Sequence, residues 1–434
     1  MTRTLIAVLA IAALFALLVL AGAHSVLVQR VEPAVVSTPT AIALSATEAP
    51  VEERQGYIYG RVTTVDGATY EGRLRWGGDE EAFWGDYFDG SKGENPWAAL
   101  VPLERLQESR PLEVFGFEVW RRETEIELRR PFMARFGDIE RVEASGLDLR
   151  VTLKSGTRFE LDRLAADDFA DGVRVWDDRQ GVFDFVEGQI RAVEFLSTAP
   201  VGTLPERLHG TVRTRHGDHF TGFLQWDGGQ NIRTDALSGQ TADSAHPLRF
   251  DAIRSIARRA PDGTTITLLD GRQFDRFGDG PVSPGDHGIY VDDPRYGRVL
   301  VASDAFERVD LTPGGSGPAY GDFPPGQPLT GSVLTRDGRR VVGRLVYDLD
   351  ESETTETLDA PSKGVDYTIP FGLIASIMVP NAAERGPQPA TVTLRGGKEL
   401  RLERNGDLGD GNAGMLVFVD GREQPEYVIW ADVA

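Results

Sequence analysis

Residues Gly60–Trp76 read GRVTTVDGATYEGRLRW. Valine, threonine and tyrosine alternate with polar residues around the short polar turn Val65-Asp66-Gly67, which is the pattern of a half-buried β-hairpin. A three-residue hairpin loop is a type I turn whose last residue lies in the left-handed region, and glycine meets no steric penalty there. With Gly67 at that position, Thr64 pairs with Ala68, Val62 with Tyr70 and Gly60 with Gly72. The apolar side chains then fall on one face, as one buried side of an antiparallel pair requires. The facing glycines predict a sharp bend or a close-packed neighbour.

The stretch recurs twice without a gap, as GTVRTRHGDHFTGFLQW from Gly210 to Trp226 and GSVLTRDGRRVVGRLVY from Gly331 to Tyr347. Each is followed by a closing apolar segment: Phe136-x-x-Ile139-x-x-Val142, Phe250-x-x-Ile253-x-x-Ile256 and Phe371-x-x-Ile374-x-x-Ile377. A second unit trails each one. It opens Val151-x-Leu153-x-x-Gly156, Ile266-x-Leu268-x-x-Gly271 and Val392-x-Leu394-x-x-Gly397, and the first two end on Ile190-x-x-Val193 and Phe306-x-x-Val309. Leading and trailing units share one hairpin pattern. Six glycines, Gly67, Gly217, Gly338, Gly156, Gly271 and Gly397, are therefore expected at positive φ.

Short, evenly spaced strands with glycine turns and no sustained helical period predict an all-β protein. The expected organisation is three tandem repeats of two modules each. The boundaries are 56–145 (leading, with an insertion at 93–130), 146–200 (trailing), 201–260, 261–313, a linker at 314–328, 329–383 and 384–434. Modules of this size with a hairpin and a final apolar-x-x-apolar strand, such as TIPFGLIASI from Thr368 to Ile377, resemble SH3-like or Sm-like small β-barrels. The chain is also similar, at the level of pattern, to tandem-repeat proteins of bacterial envelopes. Sm-like proteins bind RNA, but nothing here matches their RNA-contacting loops.

Composition narrows the function. The chain has 434 residues, with 67 acidic and 46 basic side chains and a net charge of -21. Such a surface repels phosphate backbones, so no nucleic-acid partner is expected. The absence of cysteine excludes disulfides, thiolate metal sites and a cysteine nucleophile. Residues 5–23, LIAVLAIAALFALLVLAGA, are an uncharged apolar run ending in the small-x-small signal Ala21-Gly22-Ala23. They read as a signal peptide on the strength of that motif, with a retained membrane anchor as the alternative, since 19 apolar residues can just span a bilayer. Either reading exports the rest, to the periplasm or cell surface, and makes 24–55 a linker.

Candidate sites are few. His209, His216 and His219 do not have a familiar zinc spacing and read as exposed hairpin histidines. The trailing units carry acidic loops: Asp167, Asp168 and Asp171; Asp279 and Asp286; Asp407 and Asp410. The last, NGDLGDGN, has a superficial likeness to a calcium loop, but lacks the spaced ligands and final glutamate of an EF-hand. Asp407 and Asp410 are the weak calcium candidates, and otherwise no cofactor or metal is expected. No nucleophile elbow, zincin, P-loop or dinucleotide motif occurs.

Trp226 to Phe250 and Tyr347 to Phe371 are 24 residues apart, whereas Trp76 to Phe136 is 60, so the first leading unit is longer by 36 residues. The extra segment carries Trp97, Phe115, Phe117, Trp120, Arg121 and Arg122, followed by Arg129 and Arg130. Aromatics with arginines favour interface hot spots, so these six are the expected partner-binding residues, on a hairpin of their own; the alternative is a hairpin that caps the array.

The resulting expectation is an exported, non-catalytic binding or structural array of the cell envelope with a protein or glycan partner. The alternative is a secreted hydrolase, possibly carbohydrate-active, with a carboxylate site. Aligned on Asp304 and Asp432, Ala434 matches Phe306. The third trailing unit then lacks a closing strand and offers an edge for oligomerisation or for a partner strand, unless a neighbouring module's loop covers the edge or the short copy closes with fewer strands.

Overall fold

A computed structural model describes residues 56–434 apart from 78–79, 102–108, 115–116, 124–129, 178, 198–205, 238–247, 260–262, 278–287, 316 and 381–387. The expected signal or anchor at 5–23, the linker at 24–55, Phe115, Arg129, Asp279 and Asp286 lie outside the described residues. So do the side chains of Phe117, Trp120, Arg121, Arg122 and Asp167.

The protein is all-β. The first stretch contributes β1 (Tyr59–Thr64), β2 (Thr69–Trp76), β3 (Tyr87–Ser91), β4 (Ser109–Val114), β5 (Phe117–Glu123) and β6 (Pro131–Arg135). It continues with β7 (Ile139–Ser145), β8 (Asp148–Leu153), β9 (Arg158–Asp162), β10 (Val173–Asp177), β11 (Gly181–Phe185) and β12 (Ile190–Phe195). The second stretch holds β13 (His209–Thr214), β14 (His219–Trp226), β15 (Ile253–Arg259), β16 (Gly263–Leu268), β17 (Gln273–Phe277), β18 (Ile289–Asp293), β19 (Gly297–Val301) and β20 (Phe306–Leu311). The third holds β21 (Thr330–Leu334), β22 (Arg340–Val346), β23 (Thr357–Ser362), β24 (Val365–Pro370), β25 (Ile374–Met378), β26 (Ala390–Leu394), β27 (Glu399–Leu402), β28 (Met415–Phe418) and β29 (Glu426–Val428). The one α-helix among the described residues is the four-residue Asp167–Ala170.

The first sheet runs β11-β10-β2-β1-β12-β7-β8-β9, and the second runs β17-β16-β15-β20-β13-β14-β18-β19 before adding β24-β23. Read in opposite directions, these orders correspond strand for strand. Leading and trailing hairpins thus share one sheet: β2 pairs with β10, and β12 lies between β1 and β7. Both sheets are open in strand order, with no closed barrel among the described residues. The third stretch divides into β21-β22-β28-β29 and β25-β26-β27.

All six turn glycines have positive φ: Gly67 89°, Gly217 87°, Gly338 86°, Gly156 89°, Gly271 88° and Gly397 82°. The first hairpin has the expected register, Val62 opposite Tyr70 and Gly60 opposite Gly72, with Thr64 N–H donating to Ala68 O at 2.9 Å. Close neighbours explain the facing glycines. A Cβ on Gly60 would run into Glu194 O of β12, and one on Gly72 into Trp176 O of β10.

The Phe-x-x-Ile motif is a 3-10 turn followed by a strand, at Phe136–Asp138, Phe250–Ala252 and Phe371–Leu373. The turn points its phenylalanine at the aromatic that ends the leading hairpin. Phe136 lies 5.7 Å from Trp76, Phe250 5.8 Å from Trp226 and Phe371 5.1 Å from Tyr347, ring centre to ring centre. Around these pairs a row of branched residues crosses each sheet. Val62, Val193 and Val142 stand opposite one another, as do Val212, Val309 and Ile256, all at most 1% exposed. Burying each such side chain stabilises by about 1.5–3 kcal/mol.

The expected linker 314–328 is packed against the first stretch. Lys154 donates to Tyr320 O at 2.6 Å and Phe323 O at 3.0 Å, Tyr320 donates to Ile139 O at 2.8 Å, and Phe323 is buried in the first core.

Candidate binding groove

Where β12 and β20 lie in the first two sheets, the third stretch has a cavity of about 630 Å³ between β21 and β25. No described strand stands between those two edges. The floor is aromatic and aliphatic: Leu345, Tyr347, Phe371, Met415 and Trp430, with Val333 and Ile377 on the two walls. Leu334 and Met378, at the rim, are 51% and 59% exposed.

The groove is closed at one end by the chain itself. Val433 bridges Thr335, Arg336 N–H donates to Asp432 O at 2.8 Å, and Ala434 N–H donates to Leu334 O at 2.9 Å. In the first stretch the matching contacts are Thr64 opposite Ile190 and Val65 N–H to Gln189 O at 2.9 Å. In the second they are Thr214 opposite Phe306 and Arg215 N–H to Ala305 O at 2.8 Å. Val433, not Ala434, therefore takes the position of Phe306. Alignment on the aspartate slips by one residue, because the 3-10 turn Trp430–Asp432 runs directly into Val433.

Glycine geometry separates this seam from the other two. A Cβ on Gly60 or Gly210 would strike a carbonyl oxygen of the intervening strand, Glu194 or Asp310. On Gly331, the matching residue, it would meet only Leu345 Cδ1, at 3.2 Å. Gly343, across the hairpin from Gly331, still needs its small size, because Phe418 O of β28 lies against it.

The expected partner-binding residues are placed as follows. β4 and β5 form a two-stranded sheet of their own, with Val114 opposite Phe117, Leu112 opposite Trp120, Pro111 opposite Arg121 and Arg110 opposite Arg122. Trp97 is not on that hairpin. It packs edge-on to Phe418 at 6.0 Å, with the Arg344 guanidinium 5.6 Å above its ring. The insertion's two ends tie the first stretch to the third. Lys92 donates to Asp350 at 2.6 Å and Glu356 at 3.3 Å, Asn95 to Leu349 O at 2.9 Å, and Arg130 to Asp348 at 3.3 Å. Lys92 and both its partners are buried.

Buried charges also join the first and second stretches. Arg207, 2% exposed, donates to Trp84 O at 2.7 Å and lies over the Phe223 ring at 4.6 Å. Asp86 accepts the Glu81 and Ala82 N–H groups at 2.8 and 2.7 Å. Burial pushes Asp292 up to about 6 although Arg298 and Arg207 pull the other way.

Sequence reading missed a group of carboxyls at the junction of the first and third stretches. Burial pushes Asp407 up to about 8, with Asp359 adding repulsion, and Asp348 up to about 6 against the pull of Arg130. Burial and then Asp350 and Asp407 hold Glu351 well above the usual carboxylate range. Their signal in the sequence is the acidic run DLDESE, Asp348–Glu353, which follows Tyr347 as GGDEEA follows Trp76 in the first stretch, with Glu351 bridging Tyr347 as Glu80 bridges Trp76. Of the two calcium candidates, Asp407 accepts Asp359 N–H at 2.6 Å and Asp410 pairs with Arg404 at 2.8 Å. Among the described residues no group of three or more acidic or histidine side chains is arranged to hold a metal ion.

The histidines are dispersed in role. His216 is exposed in the hairpin loop and His219 is exposed at the start of β14. His209 meets Thr312 Oγ1 at 2.9 Å and Phe223 edge-on at 5.3 Å, and burial, with Arg207, lowers its pKa.

No protein-family model matches the chain, and no curated protein or solved structure matches it either.

Proposed function

We propose that the chain is an exported, non-catalytic array of tandem repeats, each built from paired SH3-like or Sm-like small β-barrel modules, that binds protein in the bacterial cell envelope. Residues 5–23 direct export and, if retained, hold the array at the inner membrane. The observation that carries this reading is the groove of the third stretch, an apolar trough flanked by two strand edges. Main-chain edges give affinity to an added strand, and pockets between them give selectivity. A glycan would need polar groups to meet its hydroxyls, and the groove floor is Leu345, Tyr347, Phe371, Met415 and Trp430, so protein is the better partner. The β4–β5 hairpin, with Phe117, Trp120, Arg121 and Arg122, is the second contact surface.

Site-specific photocrosslinking in intact cells tests this. A crosslinking residue in place of Met378 or Trp120 should give a discrete protein adduct in the envelope fraction. Adducts at neither position, with export and folding intact, would sink the binding role.

One observation favours a second reading. The raised carboxyls of Asp407 and Glu351 could supply the acid of a hydrolase, since a carboxyl protonated near neutral pH can donate to a leaving group. That reading requires Asp407→Asn to abolish a hydrolytic activity without altering partner crosslinking.

A further inference from the structure

We infer that one end of the first sheet docks a basic amphipathic helix of a partner protein, with an arginine of that helix taking the place that Arg215 and Arg336 hold in the other two stretches. This surface lies apart from the groove and stands or falls without it.

Four aliphatic side chains mark it. Val65, Val186, Leu147 and Leu164 are each between 62% and 72% exposed. They sit on turns at one end of neighbouring strands. Thr64 at the end of β1 faces Ile190 at the start of β12, and Ala192 faces Glu143 near the end of β7. Ser145 faces Asp148, and Asp148 faces Asp162, across β7, β8 and β9. Hydrogen bonds tie the turns into one ledge. Val65 N–H donates to Gln189 O at 2.9 Å and Arg163 N–H to Leu147 O at 3.0 Å. The Arg163 guanidinium donates to Gly146 O at 3.2 Å and to Glu187 O at 2.8 Å. Single exposed aliphatics are ordinary, whereas a row of them on tied turns marks a contact surface.

The other stretches show what this surface lacks. Val65, Arg215 and Arg336 hold the same hairpin position, and their N–H groups donate to the matched carbonyls of Gln189, Ala305 and Asp432. One residue before those carbonyls, Asp304 O accepts from the Arg215 guanidinium at 3.3 Å and Ala431 O from that of Arg336 at 2.7 Å. The matched carbonyl in the first stretch is Gly188 O. Val65 is apolar and cannot donate to it. Space beside Gly188 is open, since a Cβ built there meets nothing within 4 Å. An arginine from outside can therefore take the place of the missing one.

Charge selects the same visitor. Asp66, Glu187, Asp148 and Asp162 stand along the row against Arg163 and Arg191, and Arg163 is held by the two carbonyls. These acids repel anionic lipid headgroups and attract cationic side chains. Spacing selects a helix. Neighbouring strands are about 4.8 Å apart and successive turns of a helix about 5.4 Å, so leucines on one helix face meet successive members of the row. Arginine stems on the flanks of that face cover aliphatic surface while their heads reach the acids.

The test uses the full chain at one fixed detergent concentration, so that partition of the probe into micelles is the same for every variant. The probe is a fluorescent synthetic amphipathic helix of leucine and arginine, followed by anisotropy. Val65→Arg supplies the arginine from within and should weaken binding at least about tenfold. Both other stretches carry arginine at that position, so the fold accepts it. Val342→Arg, an equal change of charge at an exposed site on the third stretch, should bind as wild type does. Leu147→Ser combined with Leu164→Ser should lose about tenfold with an unchanged midpoint in urea. Equal losses in Val65→Arg and Val342→Arg would reduce the effect to general charge attraction and overturn the proposal. Serine variants that bind as tightly as wild type would overturn it, as would a wild-type chain that does not bind the probe. A wild-type dimer in sedimentation velocity that Leu147→Ser dissociates would make a second copy the occupant, and the proposal would fail.

Discussion

The seam between β1 and β7 and the seam between β21 and β25 are built from matching residues and end differently. In the first, β12 fills the gap: Val193 is fully buried between Val62 and Val142, and Phe195 packs against Trp76 at 5.9 Å and edge-on to Phe136 at 5.7 Å. In the third, the same walls face a cavity of about 630 Å³, and Leu334 and Met378 stand exposed at its rim. The contrast teaches that the leading hairpin is not a self-sufficient unit. In the first stretch it is completed from both sides by strands more than 90 residues downstream, β10 and β12.

Phe195→Ala should break the comparison most severely. Removing a buried phenylalanine costs about 3–5 kcal/mol, read as a lower midpoint in urea for the transition that includes the first stretch. No described residue of the third stretch holds that position. If the loss is below about 1 kcal/mol, β12 is not the keystone of its seam and the third groove is no defect by contrast.

The paired glycines sharpen it. Gly60→Ala pushes a methyl group against the backbone of β12 and should destabilise by about 1–3 kcal/mol. Gly331→Ala meets only the movable tip of Leu345 and should stay within about 0.5 kcal/mol in isolated, unassociated protein. Equal effects at the two sites would mean that the third seam is closed in solution.

A smaller effect comes from pH. Asp407 ordinarily titrates near 4 but is held up to about 8 in the folded chain. Between those values the folded state keeps a proton that the unfolded state releases, so stability falls as pH rises. Asp348, raised to about 6, acts in the same direction. Thermal stability should therefore decline from pH 5 to pH 8, and Asp407→Asn should remove at least about 1 kcal/mol of that decline. Phe195 is apolar and touches none of these carboxyls, so Phe195→Ala should leave the slope unchanged. An unaltered slope in the asparagine variant would place the titration elsewhere.

Much of the fold was legible because the signals were local. Glycine at positive φ follows from turn geometry, and alternation sets hairpin register within some fifteen residues. The glycines facing each other at Gly60 and Gly72 announced close neighbours without saying which strands they were. The pairing of β2 with β10 was not legible, since about 100 residues of chain separate the partners and many antiparallel matches satisfy the same pattern. The slip at the end of the third stretch has a related cause: a chemically similar aspartate was matched where turn length governs.

The amino-acid sequence by itself determined the all-β class, the positions of the tight turns, the one-sided burial of each hairpin and the long insertion, because these depend on side-chain period and on backbone angles within a few residues. Only the tertiary structure decided that leading and trailing hairpins share a sheet, that Trp97, Lys92 and Arg130 bind the first stretch to the third, and that the third seam is an open apolar groove. Those outcomes depend on which distant strands fill the space beside an edge, and every strand edge offers the same backbone donors and acceptors, so shape and packing between remote residues make the choice.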